Sequence, residues 1–453
     1  MSQNPFGNGQ DPFEEFFKKL SENGGAGFNA DDMKNMGIPL DPAMLSNIMG
    51  QFSAMMSNQG EGVNWDQARQ HARQVAASNE DPSVTENQKS AVKDASQLAD
   101  LWLDPVVEFS RPEYSTEAWS RAEWIENSFD TWTEIAQPVA EETTAAMNSS
   151  ISSQIPEEMK SMLGGINIMG NLGSMMFGMQ IGSGVAHLST EVLSTTDIGI
   201  PLVSGRSALL PDAIKKFTDG LEIPAQEVML YLAVREAALV RLHKTVPWLR
   251  EDIMALIQRF ARGIHVDIER MQSQAMEIDL DSMDPERIQE AFSAEMFEPQ
   301  HTEDQKLALD RLENLLALID GWATVVTEEA TKNLPSTVRM SEVMNRRRAD
   351  GGPVQHLFQG LLGLKVQPRK FREATDFWRG YESEHGAAAR DQLWNAPENL
   401  PTSDELEDSQ AFEDRSEFLN STDEDFDAAL EKLLSGGYDA PDEEGDNKPD
   451  EKP

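Results

Sequence analysis

The residues whose types and spacing could support chemistry lie in one segment, Arg235-Glu236-Ala237-Ala238-Leu239. In an H-E-x-x-H helix, two histidines four residues apart hold one zinc ion, and the glutamate beside the first acts as general base on metal-bound water. Here Arg235 and Leu239 occupy the histidine positions, and only Glu236 remains. A guanidinium stays cationic and leucine has no donor atom, so neither residue can bind zinc. The segment has the frame of a metal-hydrolase helix without its two imidazole ligands.

The other histidines do not replace the missing pair within one helix. The chain has seven histidines, and no two are three or four residues apart. His243 follows Glu236 by two helical turns, about 10 Å along a helix axis, which is too far for one shared zinc ion. A site assembled across helices from Glu236, Asp320 and one histidine stays open, as does a carboxylate site for magnesium or manganese.

Several blocks outside this helix resemble the zincin-like metallopeptidase family. Its members are labelled zinc-dependent metalloproteases or hydrolases, and some are named for deazaflavin-coenzyme biosynthesis. The resemblance runs from about residue 40 to about residue 415. The blocks are AWSRAEW (118–124), STTDIGIPL (194–202), VPWLR (246–250), LIDGW (318–322), RRRADGGP (346–353) and LGLKVQPR (362–369).

The resemblance implies a zincin-like core and zinc as the cofactor of the family. Members with an intact motif would carry histidines at positions 235 and 239, and a Glu-Gly-His-like segment where this chain has Asp320-Gly321-Trp322. Asp320 keeps a carboxylate, whereas Trp322 replaces the histidine. We therefore expect no retained metal ligand set, with Glu236 as the inherited catalytic base and Arg235, Leu239 and Asp320 as degenerate motif positions. Arg235 either neutralises carboxylates that zinc would bind, or faces solvent and pairs along its own helix.

The amino-acid composition indicates the cellular compartment and the classes of partner that the protein can bind. Among 453 residues there is no cysteine, which excludes disulfides, thiolate metal sites and a cysteine nucleophile and fits a reducing compartment. The first residues show no secretory-signal pattern, so we predict a cytoplasmic location. A net charge of -41 disfavours nucleic acid and anionic membranes. The partner expected is a protein or peptide of unknown identity, and the oligomeric state is unknown.

Hydrophobic periodicity predicts a mainly α fold: a multi-helix zincin-like core with a disordered N-terminal arm and an acidic C-terminal tail. The predicted parts are a flexible arm (1–40), an N-terminal helical region (41–160), the core with the degenerate motif (161–403) and a largely disordered acidic tail (404–453). Predicted core helices cover 227–246, 249–267, 285–297, 303–331 and 356–362, with short extended pieces at 198–202 and 207–210.

Two further stretches have an unusual charge pattern. The stretch between Lys160 and Glu191 carries no charge, and we predict a buried, closely packed helix. A membrane span is disfavoured because asparagine, glutamine, serine and several glycines interrupt it. The basic stretch from Arg339 to Arg348 is predicted to form internal ion pairs, with an anionic small ligand as the alternative.

Three functions are compatible with these observations. The first is a zinc-dependent metalloprotease or hydrolase by descent, catalytically impaired because both motif histidines are replaced. The second is a non-catalytic binding or scaffold protein that uses the vacated cleft or the acidic tail to hold a partner. A hydrolase with another metal geometry is a third alternative.

Overall fold

The computed structural model describes residues 62–78, 81–154, 168–264, 301–350, 352–353 and 368–420. Within these ranges the chain forms thirteen α-helices, two short 3-10 helices and two short strands, which confirms the predicted mainly α fold. The arm at 1–40, the predicted helices at 285–297 and 356–362 and the tail beyond 420 lie outside the described residues.

The helices are numbered here in chain order. They are α1 (Trp65–Ala77), α2 (Glu86–Leu103), α3 (Arg121–Gln154), α4 (Ile168–Leu188), α5 (Pro211–Thr218), α6 (Ala225–Thr245), α7 (Pro247–Ala261), α8 (Glu303–Ala330), α9 (Thr337–Ala349), α10 (Pro368–His385), α11 (Ala387–Gln392), α12 (Ser403–Glu407) and α13 (Ser409–Asn420). The 3-10 helices are Leu393–Asn395 and Pro397–Asn399. Strand β1 (Thr116–Ala118) pairs in parallel with β2 (Ser207–Leu209).

Side-chain caps fix where several helices begin. Thr85, Thr302 and Thr402 each form a reciprocal capping box, in which the threonine hydroxyl accepts from a backbone N–H three residues later. The Gln or Glu side chain at that third position accepts in turn from the cap's own N–H, so two otherwise unpaired donors are satisfied. The Thr302 cap sets the start of α8, which carries Asp320.

Helix α6 lies at the centre of the core and carries the degenerate motif. Its residues from Tyr231 to Leu242 are all buried, because α2, α7, α8 and β2 pack around it. Helix α8 packs in turn against α7 and α10. A helix buried on all sides positions the motif residues against protein rather than against solvent.

The connector between α4 and α5 is folded on itself by backbone hydrogen bonds, and its strand β2 packs against α6. The Thr195 N–H donates to the Ala208 carbonyl at 3.1 Å, and the Leu210 N–H donates to the Leu193 carbonyl at 2.9 Å. Gly199 turns the chain with φ of +77°, a backbone region that glycine occupies without strain. This pairing places the hydroxyl run at 194–196 beside the motif helix.

Helix α4 occupies the uncharged stretch between Lys160 and Glu191. One face packs closely on α1, since a Cβ at Gly182 would lie 2.6 Å from the Ala68 carbonyl oxygen. The other face exposes Met175, Met176 and Met179, so the prediction of a buried helix is wrong for that face. Among the described residues no helix is long and apolar enough to cross a membrane.

The beginning of the predicted tail is folded. Residues 404–420 belong to α12 and α13, where Phe412 is buried. Arg415 in α13 pairs with Glu405 at 2.6 Å and donates to the Glu398 and Leu400 carbonyls. The predicted largely disordered tail (404–453) therefore begins with a folded part, in which the burial of Phe412 and the ion pair between Arg415 and Glu405 offset the acidic composition.

Candidate functional site

Arg235 points from α6 into the interior, toward α8. Its side chain is 7% exposed and forms an ion pair with Asp320. Its Nη1 also donates to Thr324 Oγ1 at 3.3 Å. Asp320 and Thr324 lie one turn apart on α8, so one helix face supplies both partners. Of the two arrangements expected for Arg235, the structure places it against a buried carboxylate and not along its own helix.

A second guanidinium reaches the same carboxylate. Arg348 of α9 has its Nε 2.8 Å from Asp320 Oδ2, and its Nη2 donates to Thr324 Oγ1 at 2.8 Å. Burial lowers the pKa of Arg348, an effect that the charge of Asp320 opposes. Asp320 therefore has two cationic partners, one from each neighbouring helix.

A third arginine pairs with the connector. Arg347 binds Asp197 through two hydrogen bonds of 2.9 and 2.7 Å, and also donates to the Glu191 carbonyl at 2.7 Å. Asp197 accepts from the Leu193 N–H at 2.9 Å. Burial alone would raise the pKa of Asp197, but the charge and hydrogen bonds of Arg347 hold it below its usual value. The predicted internal ion pairing of the basic stretch is seen at Arg347 and Arg348.

Together these side chains form what we call the arginine–aspartate cluster: Arg235, Arg347, Arg348, Asp197 and Asp320. Its three guanidinium groups face two carboxylates, which leaves one unit of positive charge within the cluster. The three guanidinium groups repel a divalent metal ion that would approach either carboxylate.

Glu236, the next residue of α6, faces the connector. The hydroxyls of Thr195 and Thr196 each donate to one of its carboxylate oxygens, and the Thr196 N–H donates at 3.2 Å. Glu236 is 1% exposed. Burial raises its pKa, while the hydrogen bonds from Ser194, Thr195 and Thr196 act in the opposite direction. Glu236 and Asp320 thus belong to two different hydrogen-bond networks on either side of α6.

The other degenerate positions serve packing. Leu239 is buried in the core of the protein. Trp322, where the family resemblance implies a histidine, is buried and donates from its indole N–H to Asp391 Oδ1 at 2.9 Å. Asp391 is paired with Arg390 at 2.8 Å, so Trp322 completes a separate buried ion pair.

Four side-chain polar atoms on α6 are buried without a hydrogen-bond partner among the described residues: the Tyr231 hydroxyl, Arg235 Nε, Arg241 Nε and His243 Nδ1. The Tyr231 hydroxyl lies one turn before Arg235, and burial raises the pKa of Tyr231 to about 12. The His243 Nε2 lies 3.0 Å from the Gly199 carbonyl oxygen, whereas its Nδ1 is unpartnered. Burial lowers the pKa of His243 to about 4, so the imidazole is neutral at pH 7 and donates from Nε2 to Gly199.

These groups do not fit a zinc ion at the motif helix. Zinc requires nitrogen, sulfur or carboxylate ligands in tetrahedral geometry, and positions 235 and 239 supply none. Asp320 is engaged by two guanidinium groups, and Glu236 by hydroxyls and a backbone N–H. A metal would have to displace a cation on one side of α6 or a hydrogen-bond network on the other.

Sequence reasoning missed the groups that bind the motif residues. The hydroxyl run Ser194-Thr195-Thr196 holds Glu236, and Thr324 bridges Arg235 and Arg348. The STTDIG and RRR blocks were visible as unusual strings, but their pairing with α6 depends on tertiary contacts between distant segments. The only signal in the sequence that could have indicated these partners is the polar character of the blocks.

Comparison with known proteins agrees with this fold. Residues 63–412 match the pattern of the family described as zincin-like metallopeptidase. The fold is similar to a crystal structure of a "putative hydrolase with a novel fold" from Chloroflexus aurantiacus, with a TM-score of 0.55 and 19% identity, covering 78% of this chain and 99% of that one. No curated protein matches the chain. With most of its length inside the family pattern, the chain belongs to the zincin-like metallopeptidase family.

Proposed function

We propose that this chain is a non-hydrolytic member of its family, in which an ion-pair cluster replaces the zinc centre. The observation that carries the proposal is the ion pair between Arg235 and Asp320. It joins the first motif position to the carboxylate of the LIDGW block, so a fixed cation of the protein occupies the place of the metal charge. Such a replacement keeps a buried carboxylate neutralised without any metal.

The environment of Glu236 supports the same proposal. A general base must lie within hydrogen-bond reach of the water that it deprotonates. Both oxygens of Glu236 instead accept hydrogen bonds from Thr195 and Thr196. A carboxyl group held in this way stabilises the contact between α6 and the connector, and we assign Glu236 this structural role.

Peptide hydrolysis tests the catalytic half of the proposal. The full-length protein is incubated with zinc or cobalt and a mixture of quenched fluorescent peptides. We expect the wild type and Glu236→Gln to show the same background rate. Glu405→Gln, which alters a buried carboxylate of α12 that pairs with Arg415, serves as the matched control. Hydrolysis present in the wild type and in Glu405→Gln but lost in Glu236→Gln would overturn the proposal.

As the function that the protein has in place of hydrolysis, we propose binding of a basic protein or peptide. The net charge of -41 supports this choice, since an excess of one sign attracts partners of the other and speeds their encounter. In fluorescence anisotropy, a lysine-rich peptide is expected to bind and to lose affinity as salt is raised. A glutamate-rich peptide of equal length is the control. Equal binding of both peptides, or no binding of either, would contradict this role.

A further inference from the structure

Three metal-binding side chains meet where the C-terminal end of α10 contacts α13. Glu384 and His385 are the last two residues of α10, and Glu413 lies in α13. His385 Nε2 is 3.3 Å from Glu413 Oε1 and 4.0 Å from Glu384 Oε2. All three ligand atoms lie within 4.8 Å of one another. This group shares no residue with the arginine–aspartate cluster.

An aromatic platform supports these ligands. The Tyr381 ring lies 4.4 Å from the His385 ring, and Phe412 packs edge-on against Tyr381 at 5.9 Å. Phe377 contacts Phe412 at 5.0 Å between ring centroids. Because Phe412 directly precedes Glu413, the same packing orients ligands on both helices. Side chains fixed by packing in this way are preorganised for a ligand.

The spacing suits a small divalent cation. Zinc binds imidazole nitrogen and carboxylate oxygen at about 2.0–2.2 Å, so ligand atoms around a tetrahedral ion lie about 3.4 Å apart. The distances of 3.3 and 4.0 Å are within about 1 Å of that separation. Glu384 and His385 are exposed enough to adjust. The cation would also relieve repulsion between two neighbouring carboxylates.

We propose that Glu384, His385 and Glu413 form a zinc site that joins α13 to α10, with solvent completing the coordination. The imidazole nitrogen favours zinc over magnesium, which prefers oxygen ligands and keeps its waters. A plain ion pair between His385 and Glu413 at the helix C-terminus is the simpler account of two of these residues. That account extends to Glu384, whose carboxylate lies 4.0 Å from His385 Nε2, but it requires that zinc have no effect on α13.

Zinc titration calorimetry on the metal-stripped full-length protein tests the site. We expect one zinc ion per chain at this site, with affinity reduced at least tenfold in His385→Ala and in Glu413→Gln. Magnesium should give no comparable binding. The matched control is His187→Ala, which removes another exposed histidine–glutamate pair, His187 with Glu191 at 3.2 Å. Zinc affinity that is unchanged in His385→Ala, or reduced equally in His187→Ala, would overturn the proposal.

Amide hydrogen exchange supplies a second measurement that separates a zinc site from an ion pair. Zinc is expected to slow exchange in α13 of the wild type and of His187→Ala, and to leave α13 of His385→Ala unchanged. Absence of zinc-dependent protection of α13 in the wild type would refute the site. Neither result depends on Glu236, so failure here is distinguishable from failure of the proposed function.

Discussion

The contact between Arg235 and Asp320 gives the sharpest test of how the protein is stabilised without a motif metal. In Arg235→Met, a side chain of similar length stays in the core while the cation is removed. Arg235 is 7% and Asp320 15% exposed at the side chain, so solvent screens their attraction only weakly. Among the described residues, Arg348 is then the remaining cationic partner of Asp320, with its Nε 2.8 Å away.

The expected loss of unfolding free energy in Arg235→Met depends on two opposing contributions, the attraction between the charges and the cost of burying them. Two unit charges about 3 Å apart attract by about 5–6 kcal/mol at an effective dielectric constant of about 20, and burying a guanidinium costs several kcal/mol. Breaking a buried pair typically costs about 3–5 kcal/mol because the remaining charge is uncompensated. Since Arg348 still compensates Asp320, we expect a loss near the lower limit, about 3 kcal/mol. The Arg235→Met/Arg348→Met double variant should lose more than the sum of the two single variants.

Urea unfolding followed by the fluorescence of the nine tryptophans measures these differences. Arg259→Met is the matched control, because it removes an ion pair with Asp304 whose side chains are 47% and 60% exposed. That variant should unfold as the wild type does. A loss below about 1 kcal/mol in Arg235→Met, or no difference from Arg259→Met, would refute the claim that Arg235 is the charge partner of Asp320.

Three further predictions concern stability. Because burial raises the pKa of Glu236 above its usual 4.5, ionising this carboxyl group weakens the folded state, so the wild type should lose stability as the pH rises above 4.5. Glu236→Gln, which cannot ionise, should lack this loss; equal pH dependence of the two proteins in urea unfolding would contradict this. Burial lowers the pKa of His243 from 6.5 to about 4, so between pH 7 and pH 5 the imidazole binds a proton in the unfolded chain but stays neutral in the folded chain. The unfolding free energy of the wild type, measured in urea, should therefore fall by about 2 kcal/mol over this range, and that of His243→Gln should fall less. A Cβ on Gly321 would lie 2.8 Å from the Thr375 N atom, so Gly321→Ala should lower the unfolding free energy by about 1–3 kcal/mol. Gly380 has open space around it, so Gly380→Ala should raise the unfolding free energy or leave it unchanged. Equal effects of the two substitutions would argue against this packing of α8 on α10.

The sequence predicted the helical class and the position of the motif helix, because both depend on local patterns. The prediction for the motif helix was 227–246, and α6 spans Ala225–Thr245. Hydrophobic periodicity is a local signal, so the prediction for the helix at 303–331 likewise agrees with α8, which spans Glu303–Ala330. Helices at 403–407 and 409–420 were not predicted, because Phe412 and Arg415 find their partners only in the folded core.

The partners of the candidate site required tertiary structure. The sequence suggested that Arg235 could neutralise both Glu236 and Asp320, and the structure pairs it with Asp320 alone of these two, while Glu236 is bound by Thr195 and Thr196. Residues 235 and 236 point to different sides of α6, about 100° apart, and periodicity cannot say which segment packs on each side. For the same reason Arg348 could not be assigned to Asp320 beforehand.

Zinc content of the purified, tag-free protein, measured by mass spectrometry, tests the central claim most directly. The comparison includes the wild type, Glu236→Ala, Asp320→Ala and His385→Ala. We predict that no zinc depends on Glu236 or Asp320, and that any bound zinc is lost in His385→Ala. Near-stoichiometric zinc that persists in His385→Ala but disappears in Glu236→Ala or Asp320→Ala would contradict the account and restore a metal centre at the motif helix.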